Sequence, residues 1–291
     1  MTAKKLVAVH KSPPAHWVGD GFYVQPLFAS LAFGQEVSPF LMLDYAAPHE
    51  FPPRKKPPGV GVHPHRGFET VTVVYDGEVE HRDSAGNSGL IGPGDVQWMT
   101  AGSGVLHEEF HSREHAARGG KVSMAQLWVN LPARDKRVAP GYQTLFAGEI
   151  PVVLVASGKG TLRVVAGAFE AAEGPARTFT PLNVWDVNVE AGAALDLEIP
   201  ARHNVLVALL SGAVTVDGET VWGASLLTFD TAGNTVSIVA DETAKLLVLT
   251  GEPLNEPIAH YGPFVMNTEA EIRESIDAFR RGEMGHIEEL A

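Results

Sequence analysis

Two pairs of residues in this chain have the types and the spacing of metal ligands. His63 and His65 lie two positions apart, and so do His107 and Glu109. Residues two apart on a β-strand point to the same face of a sheet, so each pair can present its side chains together. Imidazole nitrogen and carboxylate oxygen suit first-row transition metals, and neutral histidine is the commonest such ligand. The spacing therefore predicts a metal site.

The sequence between the two pairs predicts the strands and turns that bring them together. A β-rich run at 71–75 is followed by Asp76-Gly77, a typical hairpin turn, and Gly-Pro-Gly-Asp at 92–95 precedes a second run at 96–100. Short strands with tight turns are typical of a small antiparallel barrel. We expect the two pairs to share the interior of such a barrel.

The carboxylate that completes the site has two candidates. Glu69 has the same strand parity as His63 and His65, whereas Glu109 shares its face with His107. The residue pattern alone leaves the choice between Glu69 and Glu109 open.

The residues at 107–111 also allow a different metal site. They read His-Glu-Glu-Phe-His, which satisfies the H-E-x-x-H motif of helical zinc proteases. Gly102 and Gly104 crowd the start of such a helix, and the motif would leave the histidines at 63 and 65 unexplained. We therefore expect a strand here, with Glu108 directed away from the site.

Three further histidines are not expected to bind metal. His111 and His115 fall in the polar segment 111–120, which we predict to be a loop. His81 precedes Arg-Asp-Ser and is predicted to lie in a turn.

Composition bounds the class of protein. The chain has 291 residues, of which 45% are hydrophobic and 20% charged, as in ordinary globular proteins of one or two domains. A formal net charge of −13 argues against a surface that binds nucleic acid or anionic membrane. The absence of cysteine excludes disulfides, thiolate-bound clusters and cysteine zinc sites, so nitrogen and oxygen must hold any metal. No segment resembles a signal peptide or a membrane span, and we expect a cytoplasmic protein.

The second half of the chain predicts another barrel. Many short β-rich runs separated by Gly-rich turns occupy 152–250. The stretch 204–217 echoes 68–80 when Gly212 is laid on Gly77, which suggests an internal duplication.

In this register the second barrel has lost the metal ligands. The positions of His63, His65 and Glu69 are taken by Glu198, Pro200 and Asn204. His203 lies one residue off, and a shift of one residue sends a strand side chain to the opposite face. We expect a structural role for this barrel.

The C-terminal segment predicts a helix. Residues 268–271 form a capping box, and Ile272, Ile276 and Phe279 follow at the spacing of one helical face. Gly282 marks the end of this helix.

The stretch with the two ligand pairs resembles the cupin superfamily. Its first motif, H-x-H followed by Glu and Gly, is met by His63, His65, Glu69 and Gly77, while the second cupin motif matches only partly. The sequences HPHRGFETVT and IGPGDVQWMTAGSGVLHEE resemble the pirin family more specifically. PFLMLDY at 39–45 and QLWVNLP at 126–132 extend the resemblance over most of the first half.

The resemblance implies a ligand set and a fold. Pirins hold their metal by three histidines and one glutamate, which map onto His63, His65, His107 and Glu109. It thereby favours Glu109 over Glu69, and we also assign Glu109 as the catalytic carboxylate. The implied fold is all-β, with two cupin-type antiparallel barrels, or double-stranded β-helices, and a short C-terminal helix.

The predicted domains are contiguous. Residues 1–131 form the metal-binding barrel, 132–144 a linker and 145–255 the degenerate barrel. Residues 256–291 form a tail and helix, which the resemblance implies pack between the domains.

The resemblance also implies an activity. Three imidazoles and one carboxylate leave two positions open on an octahedral ion, which suits an enolic substrate and dioxygen. Pirins of similar sequence are associated with 2,3-dioxygenation of flavonols such as quercetin, with release of carbon monoxide. We therefore expect a quercetinase-type oxidoreductase with one divalent ion per chain. Iron(II) is the expected metal, and nickel, copper, zinc or manganese could replace it in isolated protein.

Two other functions remain open. One is a non-enzymatic, iron-dependent and redox-sensitive regulator with a protein partner, as is suggested for nuclear pirins; the only dense basic run near the site is RKKP at 54–57. The other is a barrel that keeps a metal for stability alone, which predicts tight metal binding without turnover.

Overall fold

The computed structural model describes residues 2–288, whose regular structure is mostly antiparallel β-strand. The strands of the first half are β1 (Leu6–Lys11), β2 (His16–Val18), β3 (Phe22–Ala29), β4 (Phe40–Phe51), β5 (Gly59–His65), β6 (Phe68–Asp76), β7 (Val79–Asp83), β8 (Ser88–Ile91), β9 (Val96–Thr100), β10 (Val105–His111), β11 (Gly120–Asn130) and β12 (Gly141–Leu145). Those of the second half are β13 (Val152–Val155), β14 (Gly160–Ala166), β15 (Ala168–Phe169), β16 (Ala172–Glu173), β17 (Leu182–Val189), β18 (Ala194–Glu198), β19 (Asn204–Ser211), β20 (Ala213–Val216), β21 (Glu219–Trp222), β22 (Ser225–Phe229), β23 (Thr235–Ala240), β24 (Ala244–Gly251), β25 (Ala259–Tyr261) and β26 (Phe264–Met266). The predicted all-β class is confirmed.

Helices are few and short. They are α1 (Ser30–Phe33), α2 (Arg113–Arg118) and α3 (Glu269–Arg280), with 3₁₀ turns at Gly34–Val37, Ala133–Asp135, Ala147–Glu149 and Ala156–Gly158. Among residues 2–288, none of these helices is long and apolar enough to cross a membrane.

One compact unit contains both predicted ligand pairs. It comprises residues 15–24, 43–147 and the chain from 255 onward. Its seven-stranded sheet has the order β12-β9-β6-β11-β4-β3-β2, and its four-stranded sheet has the order β5-β10-β7-β8. Gly141–Leu145, which begins within the predicted linker, is a strand of the larger sheet and pairs with β9. We call this unit the histidine barrel.

The other unit comprises residues up to 14, 25–42 and 148–254. Its sheets have the orders β1-β22-β19-β24-β17-β14-β13 and β18-β23-β20-β21, so the N-terminal strand pairs within this unit. The pairing pattern repeats that of the histidine barrel, since β19 lies between β22 and β24 as β6 lies between β9 and β11. Gly77 and Gly212 end the equivalent strands with φ of +86° and +88°. The topology thus supports the duplication inferred from the sequence.

The interior of the second barrel is apolar where the histidine barrel carries its first ligand pair. Glu198 is exposed, whereas Leu197 and Ile199 are buried, so Glu198 does not face the interior as a residue in the place of His63 would. His203 is buried, and its Nδ1 lies 3.0 Å from Thr250 Oγ1. Among the described residues of this unit, no group of three or more metal-donor side chains comes together.

The predicted C-terminal helix is confirmed. Thr268 is its N-cap, and the reciprocal hydrogen bonds with Glu271 make the expected capping box. Ile272 is buried with residues of the hairpin β25–β26, but Phe279, predicted on the same apolar face, is 42% exposed and Ala278 is buried instead.

The same hairpin holds the chain next to the first ligand pair. The Arg66 N–H donates to Pro263 O at 3.3 Å, and the Val265 N–H donates to Arg66 O at 3.1 Å. Gly67 has a φ of +86°, and a Cβ there would lie 2.0 Å from Val265 O. Only glycine allows this approach of the two backbones.

A buried lysine joins three segments at this point. Lys136 Nζ donates to Gly67 O at 2.8 Å, to Asn130 Oδ1 at 2.7 Å and to Val265 O at 2.9 Å. Burial lowers the pKa of Lys136 to about 7. The three acceptors match the three N–H groups of a charged ammonium, and each is buried with it.

Replacing Lys136 by methionine should destabilise the fold. The variant leaves three acceptors without a donor, and we expect the free energy of unfolding to fall by roughly 2–4 kcal/mol. Urea denaturation would measure this change. Lys159→Met, at an exposed position, is the control and should unfold like the wild type. Equal stability of Lys136→Met and the control would show that the three hydrogen bonds do not stabilise the fold.

Candidate metal centre

Backbone pairing brings the three predicted histidine ligands together. In the antiparallel pair of β5 and β10, His63 lies directly opposite His107, and His65 lies opposite Val105. The potential ligand atoms of His63, His65 and His107 all lie within 4.8 Å of one another. Two strands that are distant in sequence thus present one donor group.

The imidazoles have the state that metal binding requires. His63 Nδ1 lies 2.8 Å from Gly61 O, which assigns the proton to Nδ1 and leaves Nε2 with a lone pair. Burial, together with neighbouring imidazoles, lowers the pKa of His65 and His107 well below the usual value, so both are neutral. His65 Nδ1 and both ring nitrogens of His107 are buried and have no hydrogen-bond partner among the described residues.

Such unpartnered nitrogens are costly in a folded protein. A buried polar group without a partner costs about 1–3 kcal/mol, and a metal ion would supply the missing partner. The residues present therefore fit a metal ion, and the cluster can hold one.

Glu109 forms a second group of donors with His81 and His107, whose potential ligand atoms lie within 4.8 Å of one another, and it is fixed by a row of polar side chains. Its carboxylate accepts a hydrogen bond from Gln97 Nε2, and Thr72 Oγ1 lies 3.5 Å from Oε1. Thr72 pairs across the larger sheet with Gln97 on one side and Gln126 on the other. Thr72 donates to Gln126 at 2.6 Å and accepts from Gln97 at 3.0 Å. The row directs the Glu109 carboxylate into the barrel.

Tyr142 closes this network. Its hydroxyl donates to Gln97 Oε1 at 3.1 Å. Burial, with the negative charges of Glu109 and Asp83, raises the pKa of Tyr142 to about 12. The phenol therefore keeps its proton and remains a donor at neutral pH.

Glu69 does not join the histidines. It lies three positions from Thr72 on β6, so it points to the sheet face opposite the one that meets Glu109. Thr100 Oγ1 donates to Glu69 Oε1 at 2.7 Å. Burial raises the pKa of Glu69 to about 7. The alternation of residues along a strand could not distinguish Glu69 from Glu109, but in the structure only Glu109 lies in a group of metal-donor side chains among the described residues.

The helical zinc-protease alternative is excluded by the local structure. Residues Val105–His111 form a strand, so the histidines at 107 and 111 cannot meet as they would on one helical face. Glu108 points to the opposite face, as predicted, and forms an ion pair with Arg82.

The secondary structure predicted for three other histidines was wrong. His81 lies on strand β7 and not in a turn, and its ligand atom is within 4.8 Å of those of His107 and Glu109. His111 ends strand β10 and is fully buried, with Nε2 2.8 Å from Gly21 O. His115 lies on α2, which Ser112 caps by accepting from the His115 N–H.

The sequence contains a pattern that could have placed His81 on a strand. Val79, His81 and Asp83 alternate with polar residues, and this period of two marks a strand with one buried face. The signal for α2 was Ser112 at the N-cap position.

Comparisons with known proteins relate both halves of the chain to one family. The family model described as Pirin matches residues 21–129, and that described as Pirin C-terminal cupin domain matches 184–285. A Pseudomonas aeruginosa protein provisionally named as a quercetin 2,3-dioxygenase is 51% identical over 279 residues, which cover 96% of this chain and 98% of the relative. A crystal structure described as quercetin 2,3-dioxygenase from Acinetobacter baumannii has a TM-score of 0.96 and 51% identity, over 99% of this chain and 100% of that one.

A more distant structure shares the fold alone. The Escherichia coli structure described as a bacterial pirin in complex with nickel(II) is 21% identical, with a TM-score of 0.62 over 84% of this chain and 99% of that one. The chain has two barrels of the same topology, and one of them contains a histidine cluster. This arrangement defines the class as a bicupin with a candidate metal centre. The chain belongs to the pirin family.

Loss of a clustered histidine should abolish metal binding. We expect the wild type to take up about one equivalent of iron per chain after anaerobic loading, and His63→Ala and His107→Ala to take up none. Elemental mass spectrometry would count the metal. His111→Ala is the matched control, because this histidine is equally buried but outside the cluster, and it should retain the ion. Loss of metal from His111→Ala alone would contradict this assignment.

The two carboxylates should respond differently to amidation. Glu109→Gln should weaken metal binding, whereas Glu69→Gln should leave it unchanged.

The folded-state pKa of Glu69 is raised, so its contribution to stability is lost as pH rises from about 4.5 through about 7. Glu69→Gln should therefore match the wild type near pH 5 and exceed it by roughly 2–3 kcal/mol near pH 8. Denaturant unfolding at the two pH values measures this difference, and a pH-independent difference would refute it.

Proposed function

We propose that this protein is a metal-dependent dioxygenase that opens a flavonol such as quercetin, or a related enolic compound. One observation carries the proposal. Three imidazoles converge inside the histidine barrel, and His65 and His107 have buried ring nitrogens that receive no hydrogen bond from any residue between 2 and 288. Neutral donors of this kind are suited to iron(II), the ion we infer.

The proposed ligands are His63, His65, His107 and Glu109. One carboxylate among neutral donors leaves an iron(II) site with net positive charge. A bound ion of this kind would polarise the hydroxyl and keto oxygens of the substrate and bring dioxygen beside it. Four protein donors would leave room for a chelating 3-hydroxy-4-keto group.

Aromatic side chains flank the ligands. The rings of Phe68 and Trp128 lie 5.0 Å and 5.2 Å from that of His65, and 4.3 Å from each other. Flat aromatic surfaces favour planar ring systems, which supports a flavonoid as substrate. They also exclude water from the neighbourhood of the imidazoles.

Glu109 is the proposed proton acceptor as well as a ligand. Its hydrogen-bond contacts with Gln97 and Thr72 involve Oε1, and this leaves Oε2 to face the histidines or the substrate. A carboxylate at this position can take the proton from the enolic hydroxyl as the substrate binds. Tyr142 keeps the Gln97 amide oriented, so the carboxylate has a fixed direction.

The names of relatives support the choice of substrate. The Pseudomonas aeruginosa relative and the Acinetobacter baumannii structure, each 51% identical to this chain, carry the name quercetin 2,3-dioxygenase. Transfer of that activity to this chain is part of the proposal.

Iron-loaded protein should consume dioxygen with quercetin and bleach its near-visible absorbance. An oxygen electrode and a spectrophotometer would follow the two signals together. His65→Ala should lose both, because it removes a ligand, and His111→Ala should keep both. Carbon monoxide should be released with the product, since ring opening in this reaction expels one carbon.

Stoichiometric iron with no dioxygen uptake across a panel of flavonols would reject the quercetinase proposal. The protein would then be a pirin-type regulator or an oxygenase of another substrate.

A further inference from the structure

His81 is a buried imidazole that faces the metal centre but is not among its proposed ligands. It lies on β7 directly opposite Glu109 of β10, so the two side chains share the inner face of the smaller sheet. Its side chain is fully buried, and its ligand atom lies within 4.8 Å of those of His107 and Glu109. His81, His107 and Glu109 are thus a second group of three donors, which shares His107 with the first.

One ring nitrogen of His81 lies against a fixed carboxylate. Its Nε2 lies 3.2 Å from Asp83 Oδ2. Asp83 is itself fixed by the backbone N–H groups of Ala85 and Asn87, each at 2.9 Å, and by the Asn87 side chain. Metal-binding histidines commonly donate their second ring N–H to a carboxylate in this way. Among the proposed ligands, the Nδ1 of His63 instead lies 2.8 Å from the backbone carbonyl of Gly61.

The other ring nitrogen of His81 is available to a metal ion. Because Nε2 lies against Asp83, Nδ1 is the nitrogen that could bind an ion. Nδ1 is buried and has no hydrogen-bond partner among the described residues. The ring is held in place from one side by Tyr142, which stacks on it with centroids 4.7 Å apart and an interplanar angle of 17°. An oriented imidazole thus lies next to two proposed ligands.

We propose that His81 is a fifth protein ligand of the metal centre. His107 belongs to both groups of three donors, so His81 and Glu109 meet the other two histidines through the same imidazole. The inference rests on the metal site of the proposed function and extends its ligand set.

The fifth ligand would control how substrate binds. Five protein donors leave one open position on an octahedral ion, whereas a chelating enolic group needs two. His81 would therefore have to release the ion when a bidentate substrate enters, against the hydrogen bond to Asp83 and the stacking on Tyr142 that hold its ring.

His81→Phe is the variant that tests this role. Phenylalanine keeps the planar ring and its stacking on Tyr142 but has no lone pair, and Asp83 retains its four contacts from Ala85 and Asn87. The matched control is His111→Phe, because His111 is also fully buried in the same barrel and also has an unpartnered Nδ1. Thermal melting of the metal-free proteins would verify that both variants fold.

Nickel(II) is the probe, since its coordination can be counted without turnover. X-ray absorption on the nickel-loaded wild type should show four imidazoles, and His81→Phe should show three. Competition with a chelator should give at least about a tenfold loss of nickel affinity in His81→Phe and none in His111→Phe. The wild-type count requires no variant, so it remains decisive if His81→Phe does not fold.

Three imidazoles in both proteins with equal nickel affinity would overturn the inference and leave the four-ligand site intact. A wild type that binds no nickel and no iron would reject the metal site itself, and with it the proposed function.

Discussion

The metal centre depends on the register of three paired strands. Strand β10 lies between β5 and β7, and its His107 is opposite His63 on one side and Asp83 on the other. Backbone hydrogen bonds fix this register, and a slip of one residue would turn every donor of the strand outward. The pairing with β5 contains an irregularity between His107 and Glu109, whereas the pairing with β7 is continuous. Convergence of the donors is thus a consequence of the sheet rather than of flexible side chains.

The surroundings of the centre show how buried polar groups are tolerated. Glu109 and Asp83 are satisfied by amides and backbone N–H groups, and Tyr142 remains a donor because burial and nearby carboxylates raise its pKa to about 12. The imidazoles of His65 and His107 have nitrogens without a partner in the described part of the chain, which in a low-dielectric interior cost stability. A bound ion would remove that cost, so metal binding would stabilise the fold of this barrel.

The two barrels show that topology and chemistry are separable. Both have the same arrangement of a seven-stranded and a four-stranded sheet, yet only the histidine barrel brings donor side chains together among the described residues. The interior of the other barrel is filled by aliphatic and aromatic side chains, including Leu195, Leu197 and Trp185. A packed apolar core stabilises a fold, while function lies in the side chains grafted onto it.

The sequence alone determined the local features of this protein. A period of two identified His63 with His65 and His107 with Glu109, and turn and capping residues located the strands and the C-terminal helix. Tertiary structure placed Glu109 with His81 and His107, and it placed Glu69 on the opposite face of its sheet. The alternation of side chains along a strand shows which residues share one face, but it does not show which face turns inward or which strands become neighbours. Those choices are made by pairing between segments far apart in the chain, as when Leu6–Lys11 pairs with Ser225–Phe229.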